Sequence, residues 1–408
     1  MIGQVPEDGL YHEIHVSELR SFRGCRRRWD WLFNENRQPL TTPVPLEFGV
    51  AFHRAMEVMY DPTTWHLDKY ALGVRAETAF VEKCKEQRAE FMRVTEKYGL
   101  SDEEEKDYEA SFDLGIGMIR WYAQNHLPQG DYTPIAVEVK FAVPVMSADG
   151  FQLMCKCDRC WEKYCRYMAP ASTAHMPINQ DALGRKDWEG LPVYYEGRLD
   201  AIMRDKDGGF WILDWKTTMR MMAEDSDVIL EVDDQVASYC WAIRVALNLN
   251  IRGFLYVELR KASPEAPVMN KTIRLGRMFS VSKSADTDAE IFRETVMARD
   301  RDAYNAGLYL EYIQWLESEG PKFIQVHKVY KPPQTLESIG NNIYLQAREM
   351  INMPPIYPNP GRFTCTWCKF QGPCIDKTAG RDYQYALDTM YEIKPRYYEL
   401  APASTDRR

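Results

Sequence analysis

The chain has 408 residues, 45% of them hydrophobic and 27% charged, and a formal net charge of −9. That is enough apolar side chain for a substantial folded core, which excludes a disordered or low-complexity polymer, and the acidic balance excludes a protein coated in positive charge. Ten cysteines are too few for a disulfide scaffold at this length and point to metal ligation in a reducing compartment.

The opening segment, MIGQVPEDGLYHEIHV, has no basic stretch leading into an apolar core, and nothing in the chain approaches the roughly 18 apolar residues of a membrane span. The expected location is therefore cytoplasmic, including the host cytoplasm if the protein is viral, with no membrane partner. Ser17 caps a helix expected to run to about Leu32, with Leu19, Phe22, Trp29 and Leu32 apolar. Arg20, Arg23, Arg26, Arg27 and Arg28 lie on the same helix. Such a basic face is either solvated surface or a phosphate contact that also presents Cys25. Glu47 to Met59 reads as a second helix in which Gly49 and His53 share a face, the small residue letting another backbone approach the imidazole. Two longer helices are expected over 67–98 and 101–126, the second opened by a capping box of Ser101 and Glu104. Together they predict a helical lobe over 61–130 that covers a sheet.

From Thr133 to Val145 the pattern is that of a strand, with Ile135, Val137 and Val139 alternating with Ala136, Glu138 and Lys140. The Asp149-Gly150 turn leads to a further strand at Phe151 to Met154. Tyr194 to Met203 and Gly209 to Lys216 resemble paired strands joined by the hairpin loop Asp205-Lys-Asp-Gly-Gly209. Asp233 to Leu247 is helix-like, Ile251 to Leu259 is an apolar strand, and Asp286 to Leu316 returns to helix. The tail from about Lys331 lacks a clean period until its cysteines. There is no internal repeat, and no GxxxxGK[ST] to support an ATP-driven motor in this chain.

The strongest chemical signal is Gly197-Arg-Leu-Asp200 followed by Ile212-Leu-Asp-Trp-Lys216. A strand pair carrying Asp200 and Asp214 brings two carboxylates to one end of a sheet, and oxygen donors are what a hard Mg²⁺ ion selects. Lys216 stands two residues after Asp214 and so shares its strand face, where it can orient a water or add positive charge. A metal at this place stabilises charge on a phosphate and lowers the pKa of its bound water. An isolated Asp-x-Lys is usually a surface strand end. The apolar strand before it and the preceding Gly-x-x-Asp give this one weight. His53 is the candidate third metal ligand, although a lone helical histidine is more often a hydrogen-bonded structural residue. Gln235 and Tyr239 are four apart on a predicted helix and face the same way. The amide suits substrate backbone or the lysine; the phenol can brace it or stack on a base. Glu138 either faces the active cavity or belongs to the polar face of its strand.

Two cysteine groups stand out. Cys365-Thr-Trp-Cys368 followed by Cys374 is C-x2-C-x5-C, and with Cys25 as remote fourth ligand it suits Zn²⁺ or a [4Fe–4S] cluster. Cys155, Cys157, Cys160 and Cys165 contain enough thiols for a zinc knuckle. With Trp161, Tyr164 and Tyr167 among them they equally suit a packed hairpin insertion. Lys156, Arg159, Lys163 and Arg166 alternate with those aromatics in a way that invites a nucleic-acid strand. Cys84 and Cys240 read as buried thiols.

In chain order these residues resemble the RecB-type branch of PD-(D/E)XK nucleases. Gly49-Val-Ala-Phe-His53 is similar to its histidine motif, Glu138 to the glutamate of an early strand, and Gly197-Arg-Leu-Asp200 to the motif of the metal aspartate. Asp214-Trp-Lys216-Thr217 resembles the catalytic Asp-x-Lys, and Gln235-Val-Ala-Ser-Tyr239 the helix that follows it. The resemblance covers residues 15 to 375. It implies an α/β, restriction-endonuclease-like mixed sheet flanked by helices, forming one nuclease domain over 1–408. The long separation of Glu138 from Asp200 implies an insertion at 148–190. His53, Asp200 and Asp214 are then ligands of Mg²⁺ or Mn²⁺, and Lys216 is essential for hydrolysis. One cysteine before the core and three after it, within 361–376, is similar to AddB-like and CRISPR-adaptation nucleases, which implies a [4Fe–4S] staple on Cys25, Cys365, Cys368 and Cys374. The implied activity is that of a DNA exonuclease on single strands or DNA ends, serving recombination, repair or viral DNA processing. The alternatives are a non-catalytic nucleic-acid-binding protein with a structural metal cluster, and a nuclease subunit that needs a helicase or recombinase partner.

Overall fold

The computed structural model describes residues 5–40, 44–95, 102–168, 188–222, 227–319, 322–352 and 354–394. The strands in chain order are β1 (His12–His15), β2 (Arg37–Pro39), β3 (Tyr132–Pro144), β4 (Met154–Cys155), β5 (Leu191–Asp205), β6 (Phe210–Thr218), β7 (Ile251–Arg260), β8 (Met269–Arg274), β9 (Arg277–Phe279), β10 (Ile324–Tyr330) and β11 (Tyr391–Ile393). Seven of them form one mixed sheet in the order β1-β5-β6-β7-β10, with β3 and β4 also on β5. β3 runs antiparallel along one edge of β5, from Tyr132 opposite Asp205 to Pro144 opposite Tyr194. The other edge of β5 is divided between two strands. β1 pairs there in parallel with Val193 to Glu196, and β6 pairs antiparallel with Ala201 to Arg204. Gly197 to Asp200 have neither strand beside them on that edge. β6 leaves β5 after Leu213 and continues beside β7 as far as Thr218 opposite Arg260.

Alternation along β6 explains the layers. Ile212 faces a core shared with Val236, Tyr239 and Ile243 of the helix Asp234–Leu247 and with Leu336, Ile343 and Met350 of the helix Pro333–Ile351. Trp211, Leu213 and Trp215 face a second core with Phe48, Phe52 and Met56 of the helix Val44–Met59 and with Phe80, Met118 and Tyr122 of the helices Lys69–Thr95 and Asp102–Asn125. The last two helices form the helical lobe. Ser101 of the expected capping box lies outside the described residues, as do residues 169–187 of the expected insertion. The β5–β6 hairpin is set by Asp205, whose Oδ1 accepts the backbone N–H groups of Asp207 and Gly209. A smaller core around Phe279, Phe292 and Tyr309 lies under the β8–β9 hairpin. Among the described residues no helix is long and apolar enough to cross a membrane.

Three expectations for individual elements are corrected. The helix expected from Ser17 to Leu32 is broken at Cys25, which is extended (φ −166°, ψ 112°) between helices Val16–Gly24 and Arg26–Trp29. The helix expected from Asp286 to Leu316 is three shorter ones, Ala289–Arg299, Arg301–Asn305 and Leu310–Ser318, with Gly307 at positive φ (75°) before the last. The tail read as lacking a period contains the helix Pro333–Ile351, whose buried residues Leu336, Gly340, Ile343, Ala347 and Met350 form a single stripe. The signal was present: a proline at the first helical position, followed by small and apolar residues at alternating steps of four and three.

Candidate active site and metal centres

The site begins where β5 and β6 part. Asp200 is the last β5 residue before the pairing with β6, and Asp214 is the first β6 residue beyond it. The backbone N–H of Trp215 crosses the opening and donates to Asp200 Oδ2 (2.9 Å). Two side chains meet Asp214, which is only 2% exposed. Gln235 Nε2 donates to its Oδ1 (3.1 Å), and Lys216 Nζ lies 2.6 Å from its Oδ2. Gln235 is delivered by the first turn of its helix, whose cap Asp233 accepts the N–H groups of Gln235 and Val236. The amide therefore reaches the aspartate, neither the lysine nor open cleft. From the opposite layer His53 Nδ1 comes within 3.2 Å of Asp200 Oδ2. Gly49, one turn earlier on the same helix, faces Thr217, and a Cβ there would meet Thr217 Oγ1 at 3.7 Å, an ordinary contact.

The charges are strongly coupled. Burial pushes the Asp214 carboxyl up to about 6, and the neighbouring Asp200 adds to that, while Lys216 and His53 oppose it. Burial alone would lower the His53 imidazole, but the hydrogen bond and negative charge of Asp200 outweigh it and leave it raised. The fork opens into a cavity of about 750 Å³ lined by His53, Asp200, Lys216 and Glu138 together with residues of the helical lobe. Arg54, Lys83 and Arg198 also line it, each paired with a carboxylate: Glu57 (2.5 Å), Glu86 (2.8 Å) and Glu138 (2.9 Å).

Glu138 faces this cavity through an unusual backbone. Its φ is 49°, the left-handed region that costs a side-chain-bearing residue about 1–2 kcal/mol. Its neighbours Val137 and Val139 pair with Ala201 and Leu199, so the distortion sits opposite Asp200. Glu138→Gly removes both the strain and the carboxylate. It is expected to leave thermal stability unchanged or higher by about 1 kcal/mol while slowing cleavage roughly tenfold. Paired thermal melts and cleavage rates test this; a large loss of stability would show that the conformation is not strained.

A family model for the PD-(D/E)XK nuclease superfamily matches residues 13–375. The chain belongs to the PD-(D/E)XK nuclease superfamily. No curated protein matches it. This PD-(D/E)XK protein is thus a nuclease, an enzyme that breaks phosphodiesters, and its mixed α/β sheet with flanking helices accords with the superfamily.

Tyr239 stands behind the fork, where burial raises its phenol and the charges of Asp214 and Asp200 add to that. Tyr239 is buried edge-on to Phe141 (5.5 Å), a contact permitted by Gly197, where a Cβ would lie 2.5 Å from the Phe141 ring. That position suits bracing and leaves no face for a base. The five N-terminal arginines form internal clasps: Arg20 with Asp233 (3.1 Å), Arg23 with Asp234, Arg26 with Glu349, Arg27 with Cys374 Sγ (3.6 Å), and Arg28 with Ser21 (3.2 Å). Lys163 and Arg159 likewise turn inward, to the carbonyls of Tyr11 (2.8 Å) and Phe33 (3.5 Å). Cys84 and Cys240 are buried.

Cys25 comes near Cys368 and Cys374. Cys25 Sγ accepts the Asn359 N–H (3.4 Å) and Cys365 Sγ that of Gly361 (3.5 Å). Burial raises the Cys368 thiol, and the nearby Cys25 and Cys374 raise it further. The central group requires a correction. His12, Cys155, Cys157 and Cys160 have ligand atoms all within 4.8 Å of one another, and Cys165 is not among them. Five residues of helix after Cys160 turn Cys165 about 140° away, whereas β1 carries His12 alongside β5 to the knuckle. The sequence reading missed His12 because it lies 148 positions from Cys160. Locally the segment Tyr11 to Val16 offered only two histidines, His12 and His15, with no ligand spacing to the cysteines.

Proposed function

We propose that this nuclease is a Mg²⁺- or Mn²⁺-dependent DNA exonuclease of the RecB type, acting on single strands or DNA ends in recombination, repair or viral DNA processing. The supporting observation is the convergence of His53, Asp200, Asp214, Lys216 and Gln235 at the β5–β6 fork beneath helices of the lobe. The donor set suits a hard cation. Asp214 Oδ2 is buried and has no hydrogen-bond partner beyond its ion contact with Lys216, so a lone pair remains for a metal. A cation held by His53, Asp200 and Asp214 would supply charge stabilisation on the phosphate and a more acidic bound water. Gln235 fixes the rotamer of Asp214, and the Trp215 N–H fixes that of Asp200. Lys216 offers the ammonium that orients the attacking water. Because Arg54, Lys83 and Arg198 are already neutralised by carboxylates, phosphate entry to the fork depends on the divalent ion.

The four outer cysteines support an iron–sulfur staple in this reading. Cys25 and Cys374 stand near Cys368, and no three of the four thiols close to the 4.8 Å spacing of the central quartet. Three thiolates around one Zn²⁺ lie about 3.8 Å apart, given Zn–S bonds of roughly 2.3 Å; a polynuclear cluster spans more. A cluster held there ties the chain ends together and takes no part in hydrolysis. Any unwinding is left to a helicase or recombinase partner.

A helical cover suits a strand threaded by its end better than a duplex laid in an open groove. Linear single-stranded DNA is therefore expected to be degraded with Mn²⁺ or Mg²⁺, while a covalently closed single-stranded circle survives. Equal cutting of the circle would replace the exonuclease assignment with an endonuclease. Failure to cut either substrate with either cation would favour the non-catalytic reading.

A further inference from the structure

We propose that His12, Cys155, Cys157 and Cys160 bind a structural Zn²⁺ ion that fastens the central insertion to the N-terminal strand. The four ligand atoms lie within 4.8 Å of one another, with His12 Nδ1 3.1 Å from Cys160 Sγ. His12, Cys155 and Cys160 are buried, and Cys157 is partly so. Three thiols and one imidazole at this spacing form a complete tetrahedral set for a soft to borderline ion, with no open coordination position for substrate. Carboxylates, which Mg²⁺ or Ca²⁺ would require, are missing from the quartet. The chemistry is therefore that of a closed structural site, separate from the oxygen-rich fork.

Several features prepare the site. β4 brings Cys155 beside Leu191 of β5, and Gly190 at φ 103° allows that approach, since a Cβ there would lie 2.8 Å from the Cys155 carbonyl oxygen. Cys157 precedes the helix Asp158–Met168, and Cys160 sits in its first turn. Trp161 and Tyr164 of this helix pack with Trp188, just before β5, with ring centroids 5.0–6.0 Å apart. β1 supplies His12 from a four-residue strand, too short to be held firmly by its own ladder.

The consequence reaches the fork. β1 leads directly into the helix Val16–Gly24, whose Arg20 and Arg23 pair with Asp233 and Asp234. Those aspartates open the helix that presents Gln235 to Asp214. The ion thus anchors one end of a short chain of contacts that ends on a buried carboxylate of the active site.

Elemental analysis of the purified full-length protein tests the proposal. One zinc per chain is expected in addition to any iron, and Co²⁺ in its place should give the visible bands of a tetrahedral, thiolate-rich site. Cys157→Ser and His12→Ala should each lose this zinc, His12→Cys should retain it, and Cys165→Ser should retain it. Iron and sulfide content should be the same in all four. If the substituted proteins fail to fold, the wild-type zinc and cobalt measurements still decide. Wild-type protein with no zinc and no tetrahedral cobalt spectrum overturns the site, as does zinc retained in both His12→Ala and Cys157→Ser. Zinc lost on Cys165→Ser but kept in His12→Ala would return the ligand set to the four cysteines. None of these readouts depends on nuclease activity.

Discussion

Lys216→Ala is expected to lower DNA cleavage by at least about 10³-fold while the chain stays folded. The ammonium is the cation nearest the buried Asp214 carboxylate, 2.6 Å from Oδ2, and it faces the cavity where a phosphate would lie. Its loss removes both an orienting charge and a counter-ion. The stability consequence depends on pH with a definite sign. Asp214 holds its proton more tightly folded (about 6) than at its ordinary value of 3.8. As pH rises from about 4 to about 6, the unfolded chain ionises first, so stability falls across that window and the penalty is constant above it. Roughly two pH units at about 1.4 kcal/mol each make a burden of about 3 kcal/mol at neutral pH. Lys216→Ala removes an influence that lowers this pKa, so its destabilisation should be larger at pH 8 than at pH 5. Asp214→Asn should abolish cleavage yet melt higher than wild type at pH 8 without divalent ions. Mn²⁺ should then stabilise wild type and not Asp214→Asn. Cleavage by wild type should decline as pH falls below about 6, with the decline moving to lower pH as Mn²⁺ is raised, because metal and proton compete for the same oxygen. Unchanged cleavage in Lys216→Ala would remove the lysine from the chemistry altogether.

Cys25→Ser is expected to unfold the C-terminal region while sparing the sheet. Among the described residues that region has a core of four buried side chains, Trp31, Phe370, Leu387 and Tyr391, two of them stacked 5.0 Å apart, plus the three-residue pairing of β2 with β11. A core that small gains most from a staple, which the proposed cluster on Cys25 would supply. A structural metal site contributes on the order of 10 kcal/mol, comparable to the whole stability of a domain. Cys25 is itself the extended residue between two helices, and the Asn359 N–H donates to its sulfur. Hydrogen-exchange protection over Gln371–Thr378 and Tyr383–Met390 should fall at least about 10³-fold in the variant, together with loss of visible absorbance and iron. Protection over β5 and β6 should change little, because their cores lie on other elements. Full protection of the tail in Cys25→Ser would show that no cluster is needed there.

Much of the fork was legible because its residues travel in short local patterns. Asp214 and Lys216 are two apart on one strand, Gln235 and Tyr239 four apart on one helix, and His53 four after Gly49; periodicity alone assigns each pair to a face. The hairpin at Asp205 to Gly209 was legible for the same reason. The missed features are long-range. The helix Pro333–Ile351 had its own local period, but its packing partner is remote: the ring of Trp241 occupies the space a Cβ on Gly340 would need. The break at Cys25 reflects contacts with residues more than 300 positions later. The N-terminal arginines, open to two readings in the sequence, stay at the surface and gain partners remote in the chain, Asp233, Asp234 and Glu349.

By itself the sequence determined which functional groups this nuclease carries and in what order, because side-chain chemistry and strand or helix period are local properties. Only the tertiary structure decided their environments. It buried Asp214 and so raised its carboxyl, forced Glu138 into a left-handed backbone beside Asp200, and replaced Cys165 with His12 in the central quartet. Each of those outcomes depends on distances between segments remote in the chain, and burial, strain and ligand geometry come into being when those segments pack.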